Sequence, residues 1–150
     1  MLENNEICLF FASDYHFEMI SLPFINENLK KNKEIIILTE NNLTETANKL
    51  ISNINLKEED KKRLRKINWD NNNLEDLKEK NNKEKIVFIK GNIEFNKKMN
   101  IEINNNIEEN NKESLQIINC YDVNELGSDL SKITKKYNKI LLTSGIKKLH

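Results

Sequence analysis

Three groups of residues that can bind a ligand or transfer a proton stand where apolar runs of this sequence end. They are Ser13, Asp14, Tyr15 and His16 after the first run, Lys90, Gly91 and Asn92 after a central run, and Tyr121 and Asp122 at the end of a later run. Such runs are typical of buried strands, and in open α/β folds ligands bind beyond the carboxyl ends of the strands. If the strands are parallel, all three groups lie at one edge of the sheet and form the candidate ligand- or partner-binding site.

His16 is the residue of this set best suited to proton transfer, because an imidazole titrates near neutral pH. With Asp14 or Asp122 it can form an acid–base pair, so an enzyme of unrecognised type is the alternative to a binding protein. The other interpretation of His16 is an exposed or half-packed helix residue. The sequence contains no GxSxG nucleophile elbow, and we assign no catalytic residue.

The first strand-to-helix turn lacks the features of a phosphate site. A P-loop would place GxxxxGK[ST] here, whereas the turn reads Ala12 to His16 with neither glycine nor lysine. Asp14 stands at the helix start, where the helix dipole would otherwise attract a phosphate. A GxGxxG motif is missing as well. We therefore expect no nucleotide cofactor, and a nucleotide-binding remnant is only a third possibility.

Metal coordination has little support in the sequence. The second histidine, His150, is far from His16 along the chain, and Cys8 and Cys120 stand inside separate apolar runs. A free thiol in such a run behaves as a small hydrophobe, and metal sites need ligands at close spacing. We expect no metal centre, two cysteines packed in the core, and a reducing, cytoplasmic compartment.

Length and charge indicate one domain over residues 1–150 with no electrostatic preference for polyanions. The chain has 150 residues, and its 24 Lys and Arg balance its 24 Asp and Glu. This balance removes the usual argument for nucleic acid or an anionic membrane as partner. No run approaches the roughly 20 apolar residues of a membrane helix. We expect a protein that binds neither nucleic acid nor membrane directly.

Short apolar runs alternate with longer amphipathic stretches along the chain. The strand candidates are Ile7–Phe11, Ile35–Leu38, Ile86–Ile89, Leu115–Tyr121 and Ile140–Thr143, with a weak one at Lys66–Asp70. The helix candidates are 14–32, Leu43–Ile54, Lys57–Arg65, Leu74–Lys80, Phe95–Asn110 and Asn124–Asn138. This alternation predicts a three-layer α/β sandwich with a mostly parallel sheet of five or six strands and helices on both faces.

Three short motifs follow one another in a recognisable order. Ile7–Phe11 leads into Ser13 and Asp14; Leu22–Ile25 is followed by Leu29; and Cys120, Tyr121 and Asp122 precede a helix. Together they resemble the opening strand and acidic turn, the Pro-Phe helix and the Cys-Tyr-Asp strand end of the MEDS domain, the methanogen/methylotroph sensory domain. The resemblance implies a RecA-like topology without a phosphate loop.

The chain departs from the family pattern in three places. Asn28 stands where the family usually has glycine, and Gly91–Phe95 keeps the glycine and an aromatic residue but lacks the acid after the glycine. A histidine usual near the last strand is replaced, with Tyr137 as the candidate substitute. The resemblance therefore does not carry a particular ligand over to this chain.

The resemblance implies a stand-alone sensory or regulatory domain that acts in bacterial signalling or transcriptional regulation. It would bind a small, largely apolar molecule or a regulatory protein at the carboxyl edge of the sheet. The nine candidate residues named at the outset would form that site.

Trp69 is the candidate interface residue, because it stands alone in a polar segment that also holds the weak strand candidate. Exposed edge strands pair readily, and tryptophan is enriched at interface hot spots. We predict a homodimer or a heterologous complex that buries Trp69 or the surface beside it. The alternative is a monomer in which Trp69 packs against its own helices.

Overall fold

The computed structural model describes residues 6–70, 74–78, 83–108 and 113–149, and within these ranges it contains a six-stranded sheet. The strands are β1 (Glu6–Phe11), β2 (Glu34–Thr39), β3 (Lys85–Lys90), β4 (Leu115–Asp122), β5 (Lys139–Leu142) and β6 (Gly145–Lys148). Their order across the sheet is β2-β3-β4-β1-β5-β6, and only the β5–β6 pair is antiparallel. The predicted mostly parallel sheet is confirmed.

The helices lie on both faces of this sheet and complete three layers. They are α1 (Asp14–Lys30), α2 (Thr44–Asn53), α3 (Glu58–Arg65), α4 (Leu74–Leu77), α5 (Ile93–Asn106), α6 (Val123–Leu126) and α7 (Leu130–Lys136). Helices α1, α2 and α3 cover one face, whereas α4 to α7 cover the other. Among the described helices, none is long and apolar enough to cross a lipid bilayer.

The central strand β3 shows why the strands are continuous apolar runs. Ile86 and Phe88 pack in the core beneath α1, α2 and α3, whereas Val87 and Ile89 pack beneath α4 and α5. Successive side chains of a strand point to opposite faces, so a strand covered on both faces is apolar at every position.

Helices α1 and α2 run side by side down one face of the sheet. Each follows a strand of the parallel sheet, so each begins at the carboxyl edge. The hydroxyl of Ser13 caps α1 by accepting a hydrogen bond from the backbone N–H of His16 at 3.1 Å. Phe17 and Ile25 of α1 are fully buried, and Pro23 lies within the helix.

Two sequence predictions about the last third of the chain are wrong in detail. The helix predicted over Asn124–Asn138 is divided into α6, a 3₁₀ turn at Gly127–Asp129, and α7. Gly127 has φ 50°, a left-handed conformation that interrupts an α-helix. Strand β6 was not predicted; it forms because Gly145, at φ 110°, lets the chain reverse directly after β5. The predicted ends of two other helices, at 79–80 and 109–110, lie outside the described residues.

The interpretation of Trp69 as an exposed interface residue is wrong. Its side chain is 2 % exposed and packs in the core beneath α1, α2 and α3. The indole N–H donates a hydrogen bond to the carbonyl of Leu64 at 3.1 Å, and the Trp69 carbonyl accepts one from the Leu43 N–H at 3.0 Å. The segment 66–70 forms no strand, and β2 and β6 are the edges of the sheet. Association into a homodimer stays a prediction, without Trp69 as its contact.

Replacing Trp69 with alanine should therefore lower the free energy of unfolding by about 3–5 kcal/mol, because it empties a large core position. Tyr15→Ala, at a side chain that is 62 % exposed, should change that free energy by no more than about 0.5 kcal/mol. Urea denaturation followed by circular dichroism measures both. Equal, small effects for the two variants would contradict the burial of Trp69.

Candidate functional site

The carboxyl edge of the sheet holds a closed triangle of polar side chains. The Lys90 ammonium at the end of β3 donates hydrogen bonds to Asp14 Oδ1 at 2.7 Å and to Asn41 Oδ1 at 3.2 Å. The Asn41 amide donates to Asp14 Oδ2 at 3.1 Å. The fold thus brings together Asp14 and Lys90 of the predicted site and adds Asn41, which the sequence analysis missed. We call these three residues the edge cluster.

The surroundings of Lys90 explain why a lysine can end a buried strand. The residue is 4 % exposed, and its ammonium lies 4.9 Å from the ring centroid of Phe11 and 5.6 Å from that of Phe17. A buried cation requires a counter-charge, hydrogen bonds or aromatic faces, and this one has all three. Asp14, its counter-ion, is 39 % exposed at the side chain. The charges of Lys90 and Asp14 therefore cancel, and the edge cluster is open to solvent on the side of Asp14.

Gly91 and Asn92 shape the turn after Lys90. A side chain at Gly91 would overlap the ring of Phe95, so this glycine permits close packing of α5. The Asn92 side chain caps α5 by accepting a hydrogen bond from the Phe95 N–H at 2.8 Å. The backbone N–H of Asn92 donates a hydrogen bond to Glu40 Oε1 at 3.0 Å. Both residues position the turn and contribute no side chain to the edge cluster.

The remaining polar residues of the predicted site are engaged in local contacts. His16 Nδ1 accepts a hydrogen bond from the Ala12 N–H at 2.9 Å. Asp122 accepts one from the Asn124 N–H at 2.9 Å, and the Asn124 amide donates to the Ala12 carbonyl at 3.1 Å. The last bond ties the end of β4 to the end of β1. The acid–base pair of His16 with an aspartate stays a hypothesis without a supporting contact.

Tyr121 does not belong with the edge cluster. Its neighbour Cys120 faces α1, so Tyr121 faces the opposite layer, where it packs with Leu126 and Tyr137. The two tyrosine hydroxyls are 2.7 Å apart, and burial raises the pKa of both. Tyr121 thus lies at the predicted edge of the sheet but on the other face from Asp14 and Lys90, and its part in ligand binding stays a prediction.

Between α1 and α2 lies a groove of about 160 Å³ that we call the α1–α2 groove. Most of its wall is apolar, and its lining residues are Glu18, Met19, Leu22, Pro23, Leu50, Ile54, Asn55 and Leu56. Met19 stands at the surface with 40 % of its area exposed. A second cleft of about 420 Å³, between α1 and the β5–β6 hairpin, has a more polar wall. In the described part of the chain, none of the residues lining that second cleft carries a buried polar side-chain atom without a partner.

Glu18 is the unusual residue of the α1–α2 groove. It is 1 % exposed, and its Oε2 has no hydrogen-bond partner. The pKa of this carboxyl is raised to about 7. Burial is the main cause and the charge of Asp14 adds to it, whereas a Thr46 hydrogen bond and the charge of Lys90 act in the opposite direction. Glu18 is the lining residue nearest the edge cluster along α1, and its carboxyl lies beside Thr46, one turn before Leu50 on α2.

The sequence held a signal for Glu18 that the analysis did not use. Glu18 stands four residues after Asp14, four before Leu22 and seven before Ile25, on the apolar side of α1. Residues three, four and seven apart share one helix face. An acidic residue within such a stripe is costly to bury and marks a candidate functional position.

The prediction that both cysteines pack in the core is confirmed. Both thiols are fully buried, and burial raises the pKa of Cys8 to about 12 and that of Cys120 well above its usual value. Thiols in this state react poorly. Within the described residues, no group of three or more His, Cys, Asp or Glu side chains is arranged to hold a metal ion, and His150 lies outside them.

Comparison with protein-family models, with curated proteins and with solved structures finds no match for this chain. The resemblance to the MEDS domain therefore stays a prediction from three motifs. The function must be argued from the site itself.

Asp14→Asn should lower the free energy of unfolding by about 1–3 kcal/mol, because it leaves the buried ammonium of Lys90 without its counter-charge. The same change in a Lys90→Met background should cost less than about 0.5 kcal/mol, because no cation then needs the carboxylate. Glu94→Gln, in the first turn of α5, is the control: it removes an acid from a helix start and so measures the effect of the helix dipole without a buried cation. Denaturant titrations of the four-variant cycle measure the coupling, and additive effects would contradict a stabilising ion pair.

The free energy of unfolding should fall as the pH rises from about 4.5 to about 7, by up to about 3 kcal/mol from Glu18 alone. In this window the unfolded chain has lost the Glu18 proton and the folded chain still holds it, so rising pH favours unfolding. Glu18→Gln should remove this part of the pH dependence, whereas Glu27→Gln, at an exposed position of α1, should keep it. Urea denaturation at several pH values tests this, and parallel profiles for wild type and Glu18→Gln would refute it.

Proposed function

We propose that this chain is a sensory or regulatory domain that binds a small, largely apolar ligand in the α1–α2 groove. One observation carries the proposal: an apolar groove is lined by Glu18, a buried acid whose Oε2 has no hydrogen-bond partner. Ligand sites are concave and mostly apolar, with a few convergent polar groups that fix orientation. A buried polar atom without a partner is costly, so a ligand that supplies the partner gains affinity.

The size of the α1–α2 groove supports a ligand of few atoms. Its volume of about 160 Å³ is close to that of an apolar protein cavity of about 150 Å³ that takes up benzene. Met19 at its rim is flexible and polarizable, and such side chains adapt to different ligands. The exposed ring of Tyr15, one turn before Met19, extends the apolar surface towards the carboxyl edge.

The edge cluster supports a RecA-like topology that has no phosphate site. Strand β1 lies inside the sheet, between β4 and β5, and α1 begins directly after it. In a phosphate-binding relative the anion would sit at this helix start. Here Asp14 supplies a negative charge of the chain itself, and Lys90 is already paired with it.

The path from the α1–α2 groove to the carboxyl edge supports a regulatory role. Glu18 and Asp14 lie on successive turns of α1, and their charges interact with each other and with Lys90. A ligand that changes the charge of Glu18 therefore changes the electrostatics of the edge cluster. We propose that a partner protein reads this change at the carboxyl edge, where Tyr15 and His16 are exposed.

Toluene, as a minimal apolar probe, should shift the amide NMR signals of the residues that line the α1–α2 groove and few others. Asn55→Trp should abolish these shifts, because an indole at this exposed lining position fills the groove. Lys49→Trp, at an exposed position of α2 that does not line the groove, should leave them intact. Shifts scattered over the surface, or shifts unaffected by Asn55→Trp, would overturn the proposal.

A further inference from the structure

The charges around Glu18 are unbalanced when its carboxyl is ionised. Asp14 and Glu18 then contribute two negative charges, and Lys90 contributes one positive charge. The ammonium of Lys90 is already bonded to Asp14 and Asn41. The neighbour from α2, Thr46, is neutral. One positive charge is therefore missing next to Glu18.

We infer that the ligand of the α1–α2 groove is a small primary amine, with an apolar body in the groove and its ammonium group donating a hydrogen bond to the carboxylate of Glu18. This inference rests on the proposed function, because it names the class of molecule that the same groove takes. A carboxylate or phosphate ligand would add a third negative charge to this site. A neutral hydrocarbon would leave Oε2 without a partner.

Binding and proton loss are linked in this arrangement. An alkylammonium resembles a lysine side chain, whose pKa is about 10, and is charged at neutral pH. It binds the ionised carboxylate, so the Glu18 proton leaves to solvent when the amine enters. The charged groups that act on Glu18 are Asp14 of the same helix and Lys90 of β3, and the ammonium balances their sum. Affinity for the amine therefore rises with pH until the carboxyl is fully ionised.

Three probes of one shape separate the contributions: benzylamine, benzyl alcohol and toluene. Their dissociation constants are measured by NMR titration at about pH 8, where Glu18 is mostly ionised. For the wild type, benzylamine should bind roughly ten- to a hundredfold more tightly than toluene, the range for a charge-assisted hydrogen bond. Glu18→Gln should lose the preference for benzylamine over toluene. Glu27→Gln, with an exposed carboxylate removed from the same helix, should keep it.

The pH dependence provides a readout that a merely structural role of Glu18 would not change. Between about pH 6 and about pH 8 the affinity of the wild type for benzylamine should rise, whereas its affinity for toluene should not rise and the affinity of Glu18→Gln for benzylamine should stay constant. Equal affinity of the wild type for benzylamine and benzyl alcohol would overturn the inference of an amine ligand. An undiminished preference of Glu18→Gln for benzylamine over toluene would overturn it as well. If toluene binds without any preference for benzylamine, only this inference fails. If no probe binds in the α1–α2 groove, the proposed function fails with it.

Discussion

The ion pair between Lys90 and Asp14 fixes the start of α1 over the carboxyl end of β3, and the site depends on it. Lys90 ends a strand that is buried along its length, so its ammonium needs a counter-charge at that place. The first turn of α1 supplies it at 2.7 Å. Once Asp14 is held there, the period of the helix turns Glu18 towards α2 and the sheet. The position of the α1–α2 groove follows from this constraint.

Two carboxylates on successive turns of one helix acquire different properties from their surroundings. Asp14 is partly exposed and bonded to a cation, whereas Glu18 is buried and its nearest hydrogen-bond partner is neutral. Desolvation without a bound cation favours the protonated form of Glu18. The domain thus has an ion pair at its edge and, beside the α1–α2 groove, a carboxyl whose pKa is raised to about 7.

The sequence predicted the strands because a continuous apolar run such as Ile86–Ile89 is typical of a strand that helices cover on both faces. It did not predict the burial of Trp69, because that depends on how the segment after α3 packs, with hydrogen bonds to the backbone of Leu64 in α3 and of Leu43 before α2. Successive side chains of a strand point to opposite faces, so Cys120 and Tyr121 must face different layers of helices. Only the positions of those helices in the fold show which of the two residues faces α1. Residues at the carboxyl edge could be predicted because they follow the ends of apolar runs. The α1–α2 groove could not, because it arises from the packing of two helices and no local sequence motif marks it.

The most direct test of this account is the titration of the Glu18 side-chain carboxyl by carbon-detected NMR in the ligand-free domain. The resonance, assigned by its absence in Glu18→Gln, should titrate with a midpoint near 7. Burial of the carboxyl without a bound cation raises the midpoint in this direction. A midpoint near the ordinary value of 4.5 would show a solvated or paired carboxylate and would contradict the account.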